Sequence, residues 1–129
     1  MGALKLEPMI SFDPRAQAEL ASVGPLDFYV SEQSKNLAAL FAVTWQGERC
    51  GTVLLRLEKT PEGELVMVVV AAVAQTPEPV LLMGKELIEG IARQNGCTKM
   101  RVHTERPGLA VQFMRRGAEA VLTWDISNG

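Results

Sequence analysis

A chain of 129 residues, 47% hydrophobic, 22% charged and 5% aromatic, with a formal net charge of −2, is sized for one packed domain. Its hydrophobic share and small net charge exclude a disordered chain, and its longest apolar run, residues 65–74, is about half of what a membrane span needs. Met1 to Ile10 breaks its apolar residues with Lys5, Glu7 and Pro8, so no secretory signal is read there and a soluble, cytoplasmic protein is expected.

In chain order, residues 3–12 alternate enough for a strand. Asp13-Pro14 then offers an N-cap followed by proline at the first helical position, which predicts a helix over 14–23 ended by Gly24-Pro25. Residues 26–36 carry weaker signals and admit one further helical turn. Residues 37–46 are β-rich, and the turn Gln46-Gly47-Glu48-Arg49 leads to a strand over 51–59 with Val53, Leu55 and Leu57 on one face. The turn Thr60-Pro61-Glu62-Gly63 opens a third strand, 64–74, apolar on both faces and therefore central in a sheet covered on both sides.

From Val80 the period becomes helical: Val80, Gly84, Leu87, Ile88 and Ile91 share one side, Lys85, Glu86, Glu89 and Arg93 the other, and Asn95-Gly96 closes the element. Residues 98–104 form a strand with Met100 and Val102 inward and Lys99, Arg101 and His103 outward. A short helix over 108–116, stopped by Gly117, and a last strand over 119–126 complete the chain. The expectation is one α+β domain over residues 1–129, a mixed, mostly antiparallel central sheet with helices on both faces.

Several chemistries are excluded by residue type. Cys50 and Cys97 are far apart and make no zinc or redox motif; both read as small buried hydrophobes. His103 is the only histidine, so a His-rich metal site is out of reach and no metal is expected. No Gly-x-Ser-x-Gly elbow is present, and Met83-Gly84-Lys85 lacks the flanking residues of a phosphate loop. Residues 93–117 hold six bases, Arg93, Lys99, Arg101, Arg106, Arg115 and Arg116, against the single acid Glu105. This reads as a solvated face or as a patch for an acidic partner; nucleic acid is not expected, because no exposed aromatics are interleaved with the bases.

The hairpin-linked meander ending in the apolar strand 65–74, the run Ile91-Ala92-Arg93-Gln94-Asn95-Gly96-Cys97, and the run Leu109-Ala110-Val111-Gln112-Phe113-Met114-Arg115-Arg116-Gly117 together resemble the GCN5-related N-acetyltransferase (GNAT) superfamily, over about residues 37–126. The resemblance implies a sheet that splays at its fourth strand to grip acetyl-CoA. It also implies a glycine-containing loop whose backbone N–H groups hold the pyrophosphate at a helix start. Here the matching segment is Gln75-Thr76-Pro77-Glu78-Pro79-Val80-Leu81-Leu82, where the glycine positions fall near Pro79 and Leu81 and no glycine occurs. The two prolines remove N–H donors, and Glu78 sets a carboxylate where the anion belongs, a repulsion of roughly 1 to 3 kcal/mol per charge pair at ~5 Å.

If acetyl-CoA binds, the resemblance implies Gln75 and the N–H groups of Val80, Leu81 and Leu82 as a reduced phosphate site. The family's thiolate-protonating tyrosine falls at Phe113, which has no proton to give. No catalytic residue is assigned; Glu64 is the one candidate for the family's general base. With its loop degenerate, the expectation is a noncatalytic interaction or assembly module without a cofactor, engaging a protein partner or a second copy of itself. Phage virion-associated proteins of this shape make a virion location compatible with the resemblance. The alternative is a divergent N-acetyltransferase carrying an acetyl group from acetyl-CoA to an amine.

Overall fold

The computed structural model describes residues 4–75, 78–104 and 120–126. Its elements run β1 (Leu4–Met9), α1 (Pro14–Ala21), α2 (Leu26–Ser34), β2 (Ala39–Trp45), β3 (Glu48–Lys59), β4 (Leu65–Ala74), α3 (Glu78–Gln94), β5 (Lys99–Thr104) and β6 (Ala120–Asp125). The six strands form one sheet in the order β1-β2-β3-β4-β5-β6, in which only β4 and β5 are parallel. This is the expected mixed, mostly antiparallel sheet. The short helix expected over 108–116, with Phe113, lies outside the described residues.

Local chemistry explains the boundaries. The Asp13 side chain accepts from the Ala16 N–H at 2.7 Å, with Pro14 opening α1, as the sequence signals require. Gln46 and Gly47 both have positive φ, 54° and 83°, so the β2–β3 hairpin turns on two left-handed residues that match the strands' twist. Gly96, at φ 83°, ends α3, and the following Cys97 N–H returns to the Ala92 carbonyl at 2.9 Å.

One expectation is exceeded: α2 is nine residues long rather than a single turn. Its N-cap is Pro25, without a side-chain cap, so local signals understate it. Packing supplies what capping does not, because Tyr29 is buried against the sheet and Glu32 is held by Arg56.

Two apolar layers sandwich the sheet. Against α3 lie Val53, Leu55, Met67, Val69, Met100 and Val102, packed on Ile88 and Ala92. Against α1 and α2 lie Leu40, Leu54 and Ala71, packed on Leu20 and Tyr29. The strand β4 serves both layers, which is why its sequence is apolar throughout. Cys97 is buried and Cys50 half-buried, and burial pushes both thiols above their ordinary value. Among the described residues no helix is long and apolar enough to cross a membrane.

Candidate functional site

A bulge in β4 makes the site. Leu54 pairs with Ala71 but Leu55 pairs with Val69, so Val70 is an extra residue on that strand. The parallel ladder runs from Val66 opposite Lys99 only to Val69 opposite Val102. Among the described residues β4 and β5 therefore stop pairing at the bulge, while both strands continue, β4 to Ala74 and β5 to Thr104. The splay opens at the C-terminal end of the parallel pair, just before α3.

Beside it, on the face that carries α1 and α2, is a cleft of about 350 Å³. Val23, Gly24 and Pro25 of the α1–α2 connection form one wall, Phe28 and Tyr29 of α2 a second, and β4 residues 68–72 the floor. Arg56 and Glu58 of β3 supply charged side chains to its lining.

Those two belong to a chain of four charges. Glu32 of α2 pairs with Arg56; Arg56 Nη2 donates to Glu58 Oε2 at 2.6 Å, and Arg101 Nη1 donates to Glu58 Oε1 at 3.0 Å. Val68 lies between Arg56 and Arg101 in the register, so the chain spans β4 from β3 to β5. Burial opposes the Arg56 charge, but hydrogen bonds to Glu32 and Glu58 and the charges of both outweigh it and raise its pKa. Two acids and two bases make the quartet formally neutral. The sequence hid this quartet because Arg56 and Glu58 look like the solvated side of an alternating strand. Their one signal was position: they stand on a sheet face that helices were expected to cover.

A second polar network fixes the wall. Arg49 pairs with Asp13, and its Nη2 donates to Thr52 Oγ1 at 2.8 Å; Thr52 in turn donates to Glu19 Oε1 at 2.7 Å. Thr52 is wholly buried. These bonds anchor α1 to β3 and so place the α1–α2 connection over the cleft.

The residues singled out in the sequence are dispersed. Glu64 stands at the foot of β4, where its carboxylate accepts from Thr98 Oγ1 at 3.1 Å and pairs with Lys99 Nζ at 3.3 Å. It is six residues from the Val70 bulge, roughly 20 Å along a strand. Gln75 is exposed just beyond β4, and its N–H donates to the Cys50 carbonyl at 2.9 Å. Val80, Leu81 and Leu82 are the third to fifth residues of α3.

Of the basic cluster, Arg93 donates to the Ile126 carbonyl at 2.8 Å, Lys99 pairs with Glu64 and Arg101 with Glu58. Its other members, Arg106, Arg115 and Arg116, lie outside the described residues. Among the described residues no group of three or more His, Cys, Asp or Glu is placed to hold a metal ion.

No family model matches the chain, and no curated protein matches its sequence. Solved structures do match. An N-acetyltransferase from Staphylococcus aureus Mu50 aligns over 98% of both chains with a TM-score of 0.62 at 12% identity. A Bacillus subtilis acetyltransferase in complex with CoA aligns over 88% of this chain and 74% of its own, with a TM-score of 0.62 at 15% identity. A GNAT family acetyltransferase from Elizabethkingia anophelis with acetyl-CoA bound aligns over 87% and 72%, with a TM-score of 0.59 at 14% identity. At such identities the likeness is one of architecture, and with the splayed β4–β5 pair it leads to one conclusion: this chain has the GNAT fold.

Proposed function

We propose that the chain is a divergent N-acetyltransferase that moves an acetyl group from acetyl-CoA to an amine. The observation that carries this reading is the bulge at Val70 with the end of the β4–β5 ladder at Val69 and Val102. A strand that leaves its neighbour turns backbone N–H and C=O groups toward the gap, and such groups need partners. The amides of a pantetheine arm are partners of the right kind, and the adjoining cleft receives the acceptor amine. Structures similar to this one were crystallised with CoA or acetyl-CoA, which supports the same reading.

The phosphate end is the weak part of this site. With α3 starting at Glu78, the N–H groups lacking a carbonyl four residues back belong to its first turn, and there Pro79 offers none. Glu78 and Val80 supply the donors that remain in that turn, beside the Gln75 side chain, with Leu81 and Leu82 next along the helix. Affinity is therefore low, and binding rests on the arm rather than on the pyrophosphate. No side chain is assigned as general base; Glu64, the candidate that the resemblance implies, stands roughly 20 Å along β4 from the bulge, beyond the span of one bridging water.

Thermal melting with acetyl-CoA tests the reading. A ligand at ~100 times its dissociation constant adds about 2.7 kcal/mol to the folded state, which raises the midpoint of a domain of this size by on the order of 10 °C. A rise that keeps growing with the logarithm of acetyl-CoA concentration supports the reading, and an unmoved midpoint at millimolar acetyl-CoA removes it.

The same proline-flanked helix start favours a second reading, a noncatalytic interaction or assembly module that kept the fold and lost coenzyme binding. Under it the splay receives a protein segment by strand addition, from a partner or a second copy, and a virion is a compatible location. Native mass spectrometry separates the two: this reading expects a stable complex and no acetyl-CoA adduct, whereas a monomer that takes up acetyl-CoA contradicts it.

A further inference from the structure

Acetyl transfer to an amine needs a proton for the departing sulfur, and the family's usual donor position is Phe113. The chain has one tyrosine, Tyr29. It sits on α2, 7% exposed, and lines the same cleft as β4 residues 68–72. Its ring shares a cluster with Val70 and Ala71, the bulge residue and its neighbour on the stretch of β4 beside the splay. Phe28 meets that ring edge-on, at 6.1 Å between centroids and 63° between planes.

Gly24 adds a second observation. It is not among the glycines with positive φ, so its backbone conformation does not require glycine. What the missing side chain provides is room: a β-carbon there would overlap the Tyr29 hydroxyl and stand 2.9 Å from its Cζ. The phenol is thus lodged against the α1–α2 connection, at a wall of the cleft that both residues line.

Resting on the acetyltransferase reading, we propose that Tyr29 is the proton donor of the transfer, a phenol supplied from α2 in place of the one absent at Phe113. The N–C bond forms as the C–S bond breaks, and the sulfur takes the phenolic proton of Tyr29. The proton shed by the amine nitrogen then restores the phenol, so no other reactant is needed. Beside an apolar wall of Val23, Pro25 and Phe28, the phenol also suits an amine carried on an apolar body.

Tyr29→Phe keeps the ring and removes only the hydroxyl. Thiol release from acetyl-CoA is measured with 2-phenylethylamine as the probe acceptor, with water alone as its control, across pH. The expected result is an acetyl-CoA melting shift equal in both proteins, a rate at least about tenfold lower in the variant, and loss of the alkaline limb of the pH profile. Gly24→Ala, which displaces the hydroxyl, is expected to lose rate while still binding acetyl-CoA. Equal rates and profiles in wild type and Y29F, with binding intact, overturn the donor role and leave the acetyltransferase reading standing. Binding without thiol release to either acceptor also overturns the donor role. No melting shift in the wild type overturns the acetyltransferase reading and this inference with it.

Discussion

Thr52 shows how much one buried hydroxyl can hold. It accepts from Arg49 and donates to Glu19, with no exposure of its own. Thr52→Val keeps the shape and deletes both bonds, leaving a guanidinium and a carboxylate each short of a partner. The expected cost is about 1 to 3 kcal/mol, read as a lower urea midpoint, with Thr52→Ser recovering most of it. Asp13 makes a neighbouring test. Its hydrogen bond with Arg49 and the one from the Ala16 N–H hold its carboxyl below the ordinary 3.8. A lowered folded value means stability that is present above 3.8 and lost as pH falls through the folded pKa. Asp13→Ala therefore costs about 1 kcal/mol at pH 7 and progressively less as acid protonates the wild-type carboxyl, which denaturation curves at pH 7 and pH 3 check.

Among the elements, α3 is where the acetyltransferase reading puts the phosphate end of acetyl-CoA. Replacing Glu78 and Pro79 by glycine restores an N–H donor and removes a carboxylate from the first turn. The double variant is expected to bind acetyl-CoA at least about tenfold more tightly, since a repulsion of roughly 1 to 3 kcal/mol per charge pair is relieved. Titration calorimetry reads this directly, and an unchanged affinity shows that the loop is not the obstacle. The elements also differ in how legibly the sequence wrote them. The strands β2 to β4 and the helix α3 stand out because hairpin turns, the left-handed Gly96 and clean apolar periods all agree. The helix α2 does not, since Leu26, Phe28, Tyr29 and Val30 spread round it, and only Tyr29 among these apolar residues is buried. The Val70 bulge left no mark at all: it falls in a run of valines, with no glycine or proline to signal a broken register.

For the molecule as a whole, the sheet is a continuous wall except where β4 and β5 part. Two polar networks flank that opening: the quartet Glu32–Arg56–Glu58–Arg101 crosses β4 at Val68, and the Asp13–Arg49–Thr52–Glu19 network holds the cleft wall. The sequence reached the fold through patterns that depend on near neighbours. It did not reach the cleft, whose residues come from the α1–α2 connection, α2, β3, β4 and β5 and meet only after folding. Residue-resolved amide exchange of the folded protein, with and without acetyl-CoA, reads directly whether the β4–β5 opening holds the coenzyme arm. Slowed exchange is expected at amides of residues 70–74 when acetyl-CoA is added, as the open side of β4 gains partners. Unchanged exchange along that stretch at millimolar acetyl-CoA would contradict it.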